Sequence, residues 1–285
     1  MPIAPSTYYA HKATPVTQAD WDDAHLANAA LEVWRANRSL YGADKLATAM
    51  RKVGLDVGRD QVGRLMRIVG IEGVRRGKHR IVTTRRDPEA ARAPDLIRRR
   101  WQVPTRPDLW WVADFTYVWT LEGFVYTSFV SDVCSRRILG WRVSASKATP
   151  LVMSALEQAL FTRRRADARF TAEGIVFHSD AGSQYTALSF TEALLDAGIA
   201  PSVGTVGDAL DNALIESTIG LYKTELIEHD RRRSWTGRTE VEQETAGWVH
   251  WFNTTRIHHA LGKRSPIEFE EHYRQTSTPS IEEVA

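Results

Sequence analysis

The sequence predicts an α/β protein with a mixed five-stranded sheet flanked by helices, preceded by a small all-α helix-turn-helix module. Two observations predict this fold class. Residues 21–70 carry apolar side chains at three- and four-residue spacing, the period of helices. From Leu109 onward, runs of β-branched and aromatic residues are separated first by short turns and then by helix-like segments. The five predicted strands span residues 110–119, 124–133, 138–143, 174–179 and 199–203.

The composition is that of an ordinary globular protein. Of the 285 residues, 43% are hydrophobic and 25% are charged, which leaves enough apolar material for one sizeable domain and a smaller module. Cys134 is the single cysteine, so neither an intrachain disulfide nor a cysteine-rich zinc site is expected. No apolar run is long enough to span a membrane, and no secretory signal begins the chain. These features predict a cytoplasmic protein with no membrane partner.

The net charge of +2 conceals an uneven distribution. Residues 1–107 hold 20 Lys and Arg against 11 Asp and Glu, and residues 108–285 hold 17 against 24. A basic front joined to an acidic back predicts an anionic polymer as partner and a carboxylate-rich site behind it. A randomly uneven surface is the alternative.

The front of the chain divides into three segments. Residues 1–20 are predicted to be an irregular lead-in because Pro2, Pro5 and Pro15 discourage regular structure. Residues 21–70 predict three short helices with tight turns, which is typical of a helix-turn-helix module. On its last helix the residues expected to meet DNA are Arg59, Gln61, Arg64 and Arg67. The alternative is a helical bundle that only packs against the rest of the protein.

Residues 71–107 are predicted to be a basic linker. They hold 11 Lys and Arg against 4 acids and show little apolar periodicity. Clustered cations such as Arg75 and Arg76 are suited to phosphate contacts, which add salt-sensitive affinity without reading sequence. A solvated spacer is the alternative.

The predicted catalytic core spans residues 108–230 and contains three acids in comparable settings. Asp114 lies within an apolar strand, Asp180 follows another, and Glu216 lies on a predicted helix over residues 211–229. Between Asp180 and Glu216 lie 35 residues. A buried, unpaired carboxylate is costly, and a bound cation would remove that cost. For one such acid a structural ion pair would be the default; three together favour a site for two divalent cations.

Two further residues share a stripe with Glu216 on the predicted helix. Lys223 lies seven residues beyond it, roughly 10 Å along the axis, where its amine can hold a DNA phosphate. Asn212 is expected to orient the start of the helix. The alternative for Lys223 is a solvated lysine. Beyond the core, residues 231–274 predict a C-terminal helical extension, in which Arg256 is a candidate DNA contact, and residues 275–285 predict a disordered tail.

Several stretches resemble one family. Their sequences are similar to those of the IS-three family. In the core these stretches are WVADFTYV, HSDAGSQYTA, VGDALDNALIESTIGLYKTELI and WFNTTRIHHALGKRSPIEF. In front of the core they are STYYAHK and NRSLYGADKLATAMRKVGLDVGRDQVGRLMRIVGI. These are transposases of bacterial insertion sequences, products of the downstream reading frame, with a core similar to retroviral integrase. The resemblance covers nearly the whole chain.

The resemblance implies a ribonuclease H-like core and a catalytic, metal-binding triad at Asp114, Asp180 and Glu216. It implies two Mg²⁺ ions, with Mn²⁺ as a substitute, that support cleavage and strand transfer at insertion-sequence ends. The loop after Asp180 is expected to support the site through Gly182, Ser183 and Gln184, whereas His178 is expected to be a packed neighbour and no ligand.

The family also implies partners. Double-stranded DNA is expected both as element terminal repeats and as target, and pairing of two ends predicts at least a dimer on DNA. Many relatives act as fusions with an upstream-frame product that carries a leucine zipper, and this chain shows no heptad run, so that product is an expected partner. The expected location is cytoplasmic, in bacteria, at the nucleoid. The alternatives are an inert DNA-binding regulator and a hydrolytic nuclease of the same fold.

Overall fold

The computed structural model describes residues 4–13, 16–75, 104–180, 182–204, 213–230 and 233–277, without the side chains of residues 10 and 11. The chain forms two compact units, Met1–Arg75 and Arg76–Ala285. The finer boundaries expected from the sequence stay predictions. In the described part of the chain, no helix combines the length and the apolar character that crossing a membrane requires.

The first unit is helical. Its elements are α1 (Pro5–Ala13), α2 (Gln18–Ala36), α3 (Ala43–Lys52) and α4 (Arg59–Val69). Helices α2 to α4 bury a small core that contains Ala30, Leu46, Met50, Val62 and Leu65. Helix α4 ends where the sequence predicts, because Gly70 adopts the left-handed conformation (φ 72°) that closes a helix without a Cβ penalty.

The prediction of an irregular lead-in over residues 1–20 was wrong for most of that segment. Pro5 begins α1, and proline is tolerated in a first turn because its missing N–H would have no helical partner there. Helix α2 begins at Gln18, ahead of the expected Trp21. Its start is fixed by a capping box: Asp20 N–H donates to Thr17 Oγ1, and Thr17 N–H donates to Asp20 Oδ2 at 2.8 Å.

The second unit is built on the mixed sheet that the sequence predicts. The strand order is β3-β2-β1-β4-β5, with β1 to β3 antiparallel and β4 and β5 parallel to β1. The strands are β1 (Trp110–Thr120), β2 (Gly123–Asp132), β3 (Ile138–Ser144), β4 (Val176–Ser179) and β5 (Ala200–Val203). Because β4 ends early, β1 continues beyond the point where this neighbour stops.

Helices cover both faces of the sheet. On one face lie α5 (Thr149–Ala166) and α6 (Leu188–Asp196), packed against an apolar core that includes Trp111, Ala113 and Phe190. Helix α5 approaches β3 so closely that a Cβ at Gly140 would lie 1.9 Å from the Ala155 carbonyl oxygen. Glycine is therefore required at this position by packing.

The other face is covered by α7 (Ala213–Tyr222) and α8 (Arg238–Thr254), and three aromatic rings fill the contact. The Phe129 centroid lies 5.0 Å from that of Tyr222 and 6.1 Å from that of Trp248. The helix expected over residues 211–229 is α7 followed by a π-helical turn, Lys223–Ile227. Its expected first residues, at 211 and 212, lie outside the described residues.

The last described elements are a short 3₁₀ turn (His259–Leu261) and α9 (Pro266–Ser277). The predicted disordered tail was therefore wrong for residues 275–277, which continue α9; residues 278–285 lie outside the described residues. Helix α9 is held to the sheet unit by Glu270, whose buried carboxylate pairs with Arg163 of α5 and with Arg137.

Candidate active site

The sheet brings Asp114 and Asp180 next to each other. The last paired residues of the parallel β1–β4 ladder are Ala113 and Ser179, and each aspartate comes directly after its member of that pair. Neighbouring strands are roughly 4.8 Å apart, and residues in matching register point to the same face. Two carboxylates therefore lie side by side at the point where β4 ends.

The pair is electrostatically strained. Burial, the charge of Asp180 and the charge of Glu216 raise the pKa of Asp114 from 3.8 to about 8. The Phe115 N–H, which donates to Asp114 Oδ1 at 2.7 Å, and the charge of Lys223 lower that pKa and offset part of the rise. Burial also raises the pKa of Asp180. Among the described residues no Arg or Lys forms an ion pair with either aspartate.

The loop after Asp180 supports that side chain. The Gly182 N–H donates to Asp180 Oδ1 at 3.1 Å, which lowers the pKa of the aspartate. A Cβ at residue 182 would lie 3.0 Å from Asp180 Oδ1 and 3.2 Å from Gln184 Oε1, so a side chain there would crowd both. Ser183 is exposed and Gln184 is half-buried. Residue 181 lies outside the described residues.

Glu216 lies in the first turn of α7 and is exposed. Its charge raises the pKa of Asp114, so it belongs to the electrostatic surroundings of the aspartates. Nevertheless, in the described part of the chain no three His, Cys, Asp or Glu side chains converge closely enough to hold one metal ion. Asn212, which precedes α7 directly, lies outside the described residues, as do residues 205–211.

Lys223 directly follows α7, the helix that contains Glu216. Its Nζ lies 5.0 Å from the centroid of the Tyr117 ring on β1. This is cation–π range, and the same positive charge lowers the pKa of Asp114. The sequence alternative of a lysine surrounded only by solvent does not describe this half-buried position.

Tyr185 also borders the acids, although the sequence did not single it out. Its side chain is buried, and its ring centroid lies 6.3 Å from that of Phe115. The backbone N–H of Tyr185 donates to the Gly182 carbonyl. Burial and the charges of Asp114 and Asp180 raise its pKa well above 10. A possible signal was its position within HSDAGSQYTA, five residues after Asp180. His178 is a packed neighbour as expected: it is buried, and its Nδ1 lies 2.9 Å from Ser202 Oγ.

Arg256 does not fulfil the prediction of a DNA contact. It is only 4% exposed, and its guanidinium is held by the Glu225 carboxylate, with Nη2 donating to Oε1 at 2.6 Å. DNA cannot reach a group that is buried and paired in this way. The prediction failed because a basic residue in a polar stretch was assumed to face solvent.

In the helical unit the candidate DNA contacts differ in their surroundings. Arg59 and Arg67 are exposed, Gln61 is half-buried and Arg75 is exposed at the end of the described segment. Arg64 is exposed but forms a two-bonded ion pair with Asp23 of α2, in which Nη2 donates to Oδ1 at 2.7 Å. Arg76 lies outside the described residues.

Comparison with known proteins finds the same two parts. Residues 104–209 and 197–266 each match a model of the integrase core domain, and residues 20–79 match a helix-turn-helix-like domain. The core of human T-cell lymphotropic virus 2 integrase, solved in complex with magnesium in a trimeric form, is 14% identical with a TM-score of 0.45. It covers 58% of this chain and 98% of the integrase core.

Curated relatives match at full length. A putative transposase for insertion sequence element IS986/IS6110 of Mycobacterium tuberculosis is 44% identical over 281 residues, 98% of this chain and 99% of the relative. The transposase for insertion sequence element IS629 of Shigella sonnei is 43% identical over 277 residues, 95% of this chain and 89% of the relative. With an integrase core behind a helix-turn-helix-like unit and such relatives at full length, this chain belongs to the insertion-sequence transposases of the IS-three family.

Proposed function

We propose that this transposase cleaves and joins DNA strands at insertion-sequence ends with divalent metal ions held by Asp114, Asp180 and Glu216. The observation that carries the proposal is the register that places Asp114 beside Asp180, where burial and the charge of Asp180 raise the pKa of Asp114 to about 8. Strongly perturbed titratable groups are enriched at functional sites.

The donor set fits hard divalent cations. Two aspartates and a glutamate offer only oxygen ligands, which Mg²⁺ and Mn²⁺ prefer, and a cation between the aspartates would remove their repulsion. When bound, two such ions supply activation of a water or a DNA 3′-hydroxyl and stabilise the leaving 3′-oxygen. Glu216, in the first turn of α7, must approach the aspartates to complete the set.

The neighbouring residues then have defined tasks. The Gly182 N–H orients the Asp180 carboxylate by donating a hydrogen bond to it. Ser183 and Gln184 lie in the same loop, next to the site. Asn212 orients the start of α7. Lys223 presents its amine beside the acids, where it binds a phosphate of the DNA strand and keeps a positive charge close to the reacting group.

In the helical unit, Arg59, Gln61, Arg67 and Arg75 contact DNA, joined by Arg64 when a phosphate replaces Asp23 and by Arg76. The partners are double-stranded DNA of the element ends and of the target, a second copy of the chain, and the upstream-frame product. The protein acts in the bacterial cytoplasm at the nucleoid.

A strand-transfer assay tests the proposal. A labelled element-end duplex and a plasmid target are incubated with the protein in Mg²⁺, in EDTA, and with Glu216→Gln. Joined product should form only in Mg²⁺ with the unchanged protein. Glu192→Gln, which alters an exposed glutamate on α6, is the matched control and should join normally. Cutting without joining would indicate a nuclease. Binding without cutting, also after addition of the upstream-frame product, would indicate a regulator.

A second assay tests the DNA contacts of the helical unit. Removing one phosphate contact reduces the slope of log affinity against log salt by about 1. Arg67→Ala should show this change, whereas Arg169→Ala, which removes an exposed arginine of the other unit, should not. An unchanged slope for Arg67→Ala would exclude this residue as a phosphate contact.

A further inference from the structure

The helix that carries Glu216 changes its winding at the residue that approaches the acids. Helix α7 ends at Tyr222, and Lys223–Ile227 form a π-helical turn. The Glu228 N–H donates to the Lys223 carbonyl at 2.7 Å, which is the five-residue hydrogen bond of that turn. Such turns are rare and occur frequently at functional sites, because the extra residue redirects the side chains around it.

Buried contacts hold the turn on both sides of Lys223. On the preceding residue, the Tyr222 hydroxyl lies 2.8 Å from Thr245 Oγ1 on α8 and 3.3 Å from Thr127 Oγ1 on β2. Two residues beyond Lys223, the carboxylate of Glu225 is buried and faces Arg256. Lys223 thus lies between two anchored neighbours, while its own amine reaches the Tyr117 ring.

The Glu225–Arg256 pair has the geometry of a rigid clamp. Arg256 Nη2 donates to Glu225 Oε1 at 2.6 Å, and Arg256 Nε donates to Oε1 and Oε2 at 3.1 and 3.0 Å. Trp248 Nε1 also donates to Oε2, at 3.4 Å. The planar guanidinium fixes both the distance and the rotation of the carboxylate, which a single-point contact would not do.

A clamp of this kind points to a positional role. Replacing a buried ion pair by apolar side chains is often neutral or stabilising, so stability alone does not explain its presence. What a buried pair does specify is register, because only one arrangement satisfies both charges. Here the register is that of the π turn, and the side chain whose position depends on it is Lys223.

We propose that Glu225 and Arg256 are positioning residues that hold the π turn and thereby place the Lys223 amine over the Tyr117 ring, where its charge acts on Asp114. The inference rests on the proposed function for its consequence in catalysis. It assigns Arg256 a task inside the protein in place of the DNA contact expected from the sequence. Breaking the clamp lets the turn relax toward α-helical winding, which rotates Lys223 away from Tyr117.

The position of Lys223 can be measured without DNA or metal. The full chain is treated with N-hydroxysuccinimidyl acetate, and acetylation of each lysine is followed by mass spectrometry. In Glu225→Gln, the acetylation rate of Lys223 should rise several-fold relative to the unchanged protein, because the amine leaves the Tyr117 ring. The rate at Lys147, which is exposed in the loop before α5, should stay the same and is the internal reference.

A double-mutant cycle connects this position to activity. If the clamp acts through Lys223, Glu225→Gln should reduce strand transfer when Lys223 is present. The same substitution should have little further effect in a protein that already carries Lys223→Ala. Glu270→Gln is the matched control, since it also removes a buried glutamate from an arginine pair, but on α9. Its effect should be the same with and without Lys223. Arg256→Lys keeps the charge but loses the two-nitrogen contact with Glu225, so it should reduce strand transfer less than Glu225→Gln does.

The outcomes separate the inference from the function. Unchanged acetylation of Lys223 in Glu225→Gln, or additive effects in the cycle, would overturn the positioning role even if strand transfer is normal. If Glu225→Gln increases acetylation of Lys223 but the unchanged protein shows no strand transfer, the positioning role would be supported and the proposed function refuted. If Glu225→Gln does not fold, the acetylation rate in the milder Arg256→Lys decides, with the same expected rise.

Discussion

Two clusters of carboxylates in the described part of the protein differ in their counter-charges, and their pKa values are shifted in opposite directions. The acidic pair, Asp114 and Asp180, lacks an ion-paired cation among the described residues, and the pKa of Asp114 is raised to about 8. The Glu270 network joins α9 to α5: Arg163 donates to both Glu270 oxygens at 2.8 Å, and Arg137 and Ser135 also donate. There the pKa of Glu270 is lowered to about 2, since hydrogen bonds and charge from Arg163 exceed the effect of burial.

The difference distinguishes a functional cluster from a structural one. Both clusters are desolvated, so burial alone does not separate them. The Glu270 network contains its own counter-charges, whereas among the described residues no Arg or Lys forms an ion pair with Asp114 or Asp180, as a proposed cation site would require. Uncompensated repulsion is therefore the better indicator of a site for cations.

Asp114→Asn should separate activity from stability most strongly. Strand transfer should fall by roughly 1,000-fold or more, because metal-bound charge stabilisation is worth several kcal/mol in the transition state. In metal-free buffer at pH 8 the variant should unfold at the same or a higher urea concentration, since one repelling charge is gone. Strand-transfer rates and urea titrations measure the two effects. A variant that loses both activity and stability would place Asp114 with the structural cluster.

Glu270→Gln should show the reverse pattern. Removing one partner of a buried pair leaves Arg163 uncompensated, which costs about 3–5 kcal/mol of unfolding free energy. Urea titration of the full chain measures the change, with Glu192→Gln as an exposed control that should stay within about 0.5 kcal/mol of the unchanged protein. A loss below about 1 kcal/mol would mean that the network tolerates an uncharged side chain.

The two clusters should also respond oppositely to pH in metal-free protein. The pKa of Asp114 is about 8 in the folded state against 3.8 in the unfolded state, so the folded state binds this proton more tightly. Ionisation of Asp114 therefore reduces the unfolding free energy as pH rises from about 4 to 8. Folded Glu270 has a pKa of about 2 against 4.5, so its contribution is present above 4.5 and is lost as pH falls toward 2.

Urea titrations between pH 4 and 8 test the first half of this prediction. The unfolding free energy of Asp114→Asn should fall less over that range than that of the unchanged protein. Comparing variants cancels the other titrating groups, such as Asp132, whose pKa burial raises to about 6. Parallel pH curves for the two proteins would show that the Asp114 carboxyl is not perturbed.

Divalent cations should give the smallest of these effects. An ion that binds only the folded state at a hundred times its Kd adds about 3 kcal/mol of stability. Mg²⁺ should therefore raise the Tm of the unchanged protein at pH 8 but not that of Asp114→Asn, whereas Glu270→Gln should keep its full response. Equal Mg²⁺ responses in all three proteins would place the binding elsewhere.

Local patterns were sufficient for most elements of the fold. The aromatic and β-branched runs predicted β1 to β3 closely, because strand preference in a half-buried sheet depends on the side chains themselves. Gly70 ends α4 as expected. The errors lie toward the ends, at residues 5–13, 18–20 and 275–277, where a first-turn proline and a capping box allowed helices that the residue pattern did not predict.

For the site, the sequence by itself determined which acids occur, that Asp114 lies within a strand and that Asp180 follows one. It did not determine their adjacency, which comes from the parallel register of β1 and β4, two segments more than 60 residues apart. Nor did it reveal that Arg256 is buried against Glu225 or that α7 ends in a π turn. The residue types are local properties of the chain, whereas burial, pairing and pKa depend on which distant segments meet, and only the tertiary structure decided those.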